Sequence, residues 1–204
     1  MNFTLSKIPE RTEQPRHFGV TMIADKGVSI AETENFLSVA LPHIDMVKLA
    51  FGTAMVTPLL KEKIKIYQSH NIPVFFGGLM FEAFFIRNRF KDYLKLLDEY
   101  EISFAEISDG EINISHQEKC NYIRILSARG NVLSEIGSKD KDKIKVTPPY
   151  QWIELMKAEL DAGSRYVIAE AKETGHDGLY RNSGEVREGL VDEILTKISA
   201  EKII

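Results

Sequence analysis

Short apolar runs alternate with longer amphipathic stretches along almost the whole chain. After a polar leader, His17–Ala24 reads as a strand, and Asp25-Lys26-Gly27 as a charged turn. A helix follows over about Ile30–Leu41, ended by Pro42, and then a strand at Ile44–Leu49. Pro58 suits the first position of a helix reaching His70, and Pro73–Phe76 is the next strand. Gly77-Gly78 make an exit, and helical stretches at Phe81–Arg87 and Phe90–Tyr100 lead to the strand that ends at Glu106. Helix Gln117–Ala128 leads to a strand containing Glu135, a helix around Trp152–Leu160 to one containing Glu170, and a helix is predicted over Val186–Ile198, with Val186, Leu190, Ile194 and Leu195 on its buried face. Lys202-Ile203-Ile204 read as the start of one more strand. Six strand-helix units with right-handed crossovers specify an α/β fold, either a (β/α)8 barrel or an open doubly wound sheet.

Three of the strands share a feature that their apolar pattern does not explain. Phe104-Ala105-Glu106, Leu133-Ser134-Glu135 and Val167-Ile168-Ala169-Glu170 each end on a glutamate. A strand covered by helices is buried on both faces, and an ionised carboxylate there must be paired, bound to a metal or protonated. Charges gathered at strand C-termini favour the barrel, whose active site is built from those ends. Asp25, Lys48, Glu106, Glu135 and Glu170 are therefore expected to converge at one mouth. Lys48 lies inside an apolar strand, where lysine is uncommon, and binding of a substrate carboxylate or phosphate accounts for it better than a purely structural role. The glutamates have two open readings: oxygen ligands for a hard cation, or a buried charge network with Lys48, Lys26 or Lys172. Gly77-Gly78 either let backbone approach an anion or only make a tight turn.

Composition narrows the function. The chain has 204 residues, 44% of them hydrophobic, enough for one core, so 1–204 is expected to be a single domain. Thirty acidic residues against 26 basic ones give no basic excess for nucleic acid, and no stretch has the length of a membrane-spanning helix, which leaves small-molecule partners. The lone Cys120 and a leader without an apolar core point to the cytoplasm.

The motifs taken together resemble one family. Thr21-Met22-x-x-Asp25-Lys26-Gly27, Lys48-Leu49-x-Phe51-Gly52-Thr53, Gly77-Gly78-x-x-Phe81-Glu82, Glu106-Ile107-Ser108-Asp109-Gly110, Ser134-Glu135-Ile136-Gly137-x-Lys139-Asp140 and Glu170-Ala171-Lys172-Glu173-x-Gly175 occur in the order seen in phosphosulfolactate synthases. The resemblance implies a TIM (β/α)8-type barrel and a magnesium-dependent addition of sulfite to phosphoenolpyruvate, a step towards coenzyme M or sulfolactate. It implies Lys139 and Glu106 as catalytic residues, with Lys139 the general acid; spacing alone reads Lys139 as a solvated loop lysine. Lys26, Lys48, Gly77, Gly78 and Lys172 would bind substrate, and Asp25, Glu106, Glu135 and Glu170 would hold Mg2+. Family members carry two more strands beyond the equivalent of Ile204, so the expected barrel lacks its last one to two units in this chain, and its open edges predict a homo-oligomer. Phe51, Ala54, Ser138 and Lys172 depart from the family pattern. A non-catalytic, stress-associated or scaffold relative is the alternative reading.

Overall fold

The computed structural model describes residues 6–10, 12–136, 148–169, 178–181 and 183–204. Its strands are β1 (Met22–Asp25), β2 (Met46–Leu49), β3 (Val74–Phe76), β4 (Phe104–Ile107), β5 (Asn131–Ile136) and β6 (Tyr166–Ala169). Its helices are α1 (Ile30–Ala40), α2 (Leu60–Ser69), α3 (Gly78–Phe85), α4 (Phe90–Glu99), α5 (His116–Ser127), α6 (Pro149–Asp161) and α7 (Glu188–Leu195). Local chemistry sets several starts. Ser29 and Glu32 form a reciprocal capping box on α1, Ser115 caps α5, and Pro149 opens α6.

All strand pairing within the two three-stranded runs, β1-β2-β3 and β4-β5-β6, is parallel. The runs belong to one TIM-type barrel wall, because their inward side chains share one layer. Met46 and Phe75 from the first run pack with Phe104, Leu133, Tyr166 and Ile168 from the second, and Val20, Met22 and Ile204 join them. Ile203 forms an isolated parallel bridge with Val167 of β6, and the Ile204 N–H donates to the Val167 carbonyl at 2.9 Å, while Lys202, expected in the same strand, closes a short 3-10 helix. The alternate residues of each strand face the helices: Val47, Leu49, Val74, Phe76, Ile107 and Val132 in one cluster, and Ile136 and Val167 with Trp152, Met156, Leu190, Ile194 and Ile198 in another.

Three expected elements differ from those observed. The first strand begins only at Met22, since Gly19 at φ +63° turns the chain and leaves Phe18 exposed. Helix α3 starts at Gly78 itself rather than at Phe81. Helix α7 is shorter than Val186–Ile198: Val186 bridges Tyr180 in antiparallel fashion and is exposed, as is Leu195, leaving Leu190, Ile194 and Ile198 as the buried residues.

Between α5, α6 and β5 the outer layer encloses a fully buried lysine. Lys119 Nζ lies 2.8 Å from Glu159 Oε1 and 3.1 Å from Asp109 Oδ1, and donates to the Glu135 carbonyl at 2.5 Å. His116 Nε2 is 3.3 Å from the same Glu159 oxygen. Burial pushes the Glu159 carboxyl up, but Lys119 and hydrogen bonds from His116, Lys119 and Ser134 bring it below its usual range. Burial likewise pushes Lys119 down, and Glu159 with Asp109 outweighs it, leaving the amine raised. The stability carried by the Glu159 charge is therefore present above the ordinary carboxylate value of about 4 and lost as pH falls through the depressed one; the Lys119 share is present below about 10.4 and lost as pH rises through the raised one. Glu159→Gln should cost about 3–5 kcal/mol at pH 7, the usual penalty for stranding one member of a buried pair. Urea midpoints measured below about pH 4 should fall more steeply with acid in the wild type than in this variant.

Candidate active site

Strand periodicity lifts three charged groups into one place. Lys48, Glu106 and Glu135 each lie two residues beyond an inward apolar residue, Met46, Phe104 and Leu133 respectively, on the same face and nearer the strand C-terminus. Lys48 Nζ is 2.6 Å from Glu106 Oε1 and 3.7 Å from Glu135 Oε2. Glu106 is fully buried. Its Oε1 also accepts the Gly78 N–H at 2.8 Å, whereas its Oε2 meets no hydrogen-bond donor among the described residues. Burial pushes the Glu106 carboxyl up; the Lys48 charge opposes this, Glu135 adds to it, and the net result is raised.

The glycine pair makes this packing possible. Gly77 occupies the next inward position after Phe75, and a Cβ there would stand 3.0 Å from Lys48 Cε and 3.2 Å from the Leu49 carbonyl oxygen. The lysine stem thus runs through the space that a side chain on β3 would fill. At Gly78 a Cβ would meet Ser108 Cβ at 2.3 Å, so only glycine lets the start of α3 lie against the exit of β4.

Ser108 links two further carboxylates to the mouth. Its Oγ is 2.6 Å from Glu82 Oε1 and 3.0 Å from Glu135 Oε1. Glu82, buried on α3, also accepts the Gly110 N–H on Oε1 at 3.0 Å and the Glu111 N–H on Oε2 at 3.1 Å. Both residues stand in the sequence motifs but had no predicted role. The signal for Glu82 was present, as the only charge in the apolar octet Gly78–Phe85.

Asp25 does not join this group, which corrects the expected convergence of all five residues. It pairs in register with Leu49, whose side chain faces the helices, so the alternation turns Asp25 outward. There Lys63 Nζ lies 2.8 Å from Oδ1 and 2.6 Å from Oδ2, the Tyr67 hydroxyl donates to Oδ2 at 3.0 Å, and the Gly27 and Val28 N–H groups donate to Oδ1. Burial holds the Tyr67 hydroxyl well above its usual range, keeping it a donor. Both Asp25 oxygens are committed to the protein itself. Lys63 and Tyr67, four residues apart on the buried face of α2, were the sequence signal for this counter-charge. Lys26 is exposed, with its amine 5.0 Å from the centre of the Phe51 ring. Lys139, Glu170 and Lys172 lie outside the described residues.

Among the described residues no set of three His, Cys, Asp or Glu side chains is placed to hold a metal ion. Glu106 Oε2 and the Glu135 carboxylate are nonetheless hard oxygen donors of the kind magnesium accepts.

Residues 9–204 match the family described as (2R)-phospho-3-sulfolactate synthase (ComA). The chain belongs to that family. It is 33% identical over 196 residues to the phosphosulfolactate synthase of Bacillus subtilis, covering 96% of this chain and 78% of that protein. With the phosphosulfolactate synthase of Methanocaldococcus jannaschii it shares 35% identity over 190 residues, covering 91% of this chain and 76% of the relative. Among solved structures, 3-keto-L-gulonate-6-phosphate decarboxylase from Vibrio cholerae aligns with a TM-score of 0.51 at 14% identity, covering 91% of this chain and 76% of that one, a likeness of fold alone. Within the (2R)-phospho-3-sulfolactate synthase family chain, then, Lys48, Glu106 and Glu135 form the described part of the mouth, and Asp25 belongs to the wall behind it.

Asp25→Ala should lower stability by about 3–5 kcal/mol, because it strands Lys63 in the outer layer.

Proposed function

We propose that this chain is a phosphosulfolactate synthase that adds sulfite to phosphoenolpyruvate in the presence of magnesium. Family membership supports the reaction, and the observation that carries the siting is the Lys48 amine held at the mouth by Glu106 and Glu135. In the reaction the sulfite sulfur forms a bond to the terminal carbon of the enol phosphate. The double-bond electron pair moves to the carbon that bears the carboxylate and phosphate oxygen, and a proton is then delivered there. The protein must therefore bind a trianionic substrate, stabilise developing negative charge beside a carboxylate, and protonate one face.

Lys48 meets the first need. Its stem is fixed by the Gly77 gap and its amine by Glu106, so the cation is already oriented when an anion enters. Glu106, Glu135 and Glu170 are the residues that would hold a magnesium ion, which would supply positive charge to the substrate carboxylate. The Gly77 and Gly78 N–H groups are held by the Leu49 carbonyl and Glu106 Oε1, so the glycine pair serves the site by leaving room for Lys48 and Ser108. Lys139 is the proposed proton donor and Lys172 and Lys26 further anion contacts. The same reading places the activity in the cytoplasm, among reactions that make sulfolactate or coenzyme M. It also gives the exposed apolar loop residues Phe51, Met55, Val56 and Leu59 a role in assembly of like chains.

The direct test is formation of phosphosulfolactate from phosphoenolpyruvate and sulfite, with and without magnesium, followed by phosphorus NMR. Product is expected only with both substrates and the metal; its absence from well-folded protein overturns the reading. Lys139→Ala should lower kcat by about 10²-fold or more, the scale for loss of a general acid, with unchanged magnesium binding. Lys48→Met should chiefly raise KM for phosphoenolpyruvate. An unaltered rate in Lys139→Ala would remove that residue from its role.

A further inference from the structure

We infer that Glu82 and Ser108 act together as positioning residues for Glu135, an inference that rests on the reading of the barrel mouth as the synthase site. Ser108 is buried at the exit of β4, with one carboxylate oxygen at 2.6 Å and another at 3.0 Å from its hydroxyl. A hydroxyl has one hydrogen and can donate to only one of them at a time. The two carboxylates are not equivalent. Glu82 holds the Gly110 and Glu111 N–H groups whichever way the hydroxyl turns. Lending the Ser108 hydrogen to Glu135 therefore leaves Glu82 with a donor on each oxygen, and taking it back returns a short charge-assisted bond.

The arrangement does two jobs. The Gly110 and Glu111 N–H groups donate to one buried side chain on α3, with the Ser108 hydroxyl 2.6 Å from it, which fixes the loop leaving β4 to the helix beside it. That loop in turn sets where Ser108 Oγ stands relative to Glu135 on the adjacent strand. A carboxylate inside a barrel needs directional partners to hold one rotamer, and Ser108 provides one on Oε1 while Lys48 faces Oε2. Gly78 is part of the same device, because a Cβ at that position would displace Ser108 by its own Cβ.

The inference is tested with Glu82→Ala, Glu82→Gln and Ser108→Ala in the full chain. Hydrogen exchange of the Gly110 and Glu111 amides should accelerate roughly tenfold to hundredfold in Glu82→Ala and stay near the wild-type rate in Ser108→Ala. The Glu135 carboxylate stretch, located by an infrared difference against Glu135→Gln, should shift in both Ser108→Ala and Glu82→Ala. Glu82→Gln keeps an acceptor for Ser108 and Gly110 but presents an amide to the Glu111 N–H, so it should fall between wild type and Glu82→Ala in exchange and in kcat. The alanine variants should each lose about tenfold or more in kcat with a smaller change in KM. Unchanged exchange at Gly110 and Glu111 in Glu82→Ala, or an unmoved Glu135 band in Ser108→Ala, overturns the inference. So does an active enzyme in which both signals move and kcat does not. Wild-type protein without synthase activity would instead reject the functional reading, and the exchange and infrared results would still decide whether the clamp exists.

Discussion

A carboxylate that no water reaches has to be answered by the protein, and the arrangement of this barrel mouth follows from answering Glu106. The cation that does so, Lys48, comes from a strand in the other three-stranded run, so the charge pair links the two halves of the wall across the interior. Reaching across requires room, which Gly77 leaves by having no side chain at the corresponding inward position of β3. The second contact on the same oxygen, the Gly78 N–H, requires the first turn of α3 to press against β4, which again only glycine permits. One buried charge thus fixes a lysine, a glycine pair and the start of a helix. Its other oxygen meets no donor among the described residues.

The outer layer answers its own buried carboxylates with lysines carried on helices. Asp25 is surrounded by Lys63, Tyr67 and two backbone N–H groups, and Glu159 by Lys119 and His116. These networks tie strands to helices. At Asp25 both oxygens accept hydrogen bonds within the protein, whereas Glu106 Oε2 meets no donor among the described residues.

Much of this was legible in the sequence. Alternating apolar runs gave the strand order, and the position of Glu106 and Glu135 near strand ends placed them together with Lys48. Two kinds of information were not available there. The first is strand parity at an exit: Asp25 and Glu106 both lie near strand C-termini, yet the register with Leu49 turns one outward while that of Glu106 turns it in. A one-residue uncertainty in where β1 starts reverses that answer, and Gly19 had obscured the start. The second is pairing across distance. Lys63 reads as part of an amphipathic helix, and Glu82 as an acidic residue one turn after a glycine pair, until the fold brings them against Asp25, 38 residues away, and Ser108, 26 residues away.

The shared space of Lys48 and Gly77 also constrains how such a site changes over generations. Any residue with a Cβ at position 77 competes with the lysine stem for one volume, and any shortening at 48 removes the counter-charge of Glu106 before that volume is freed to use. Substitutions at 48, 77 and 106 are therefore coupled, the effect of each depending on what stands at the other two. A change at any one of the three positions is thus read through the other two.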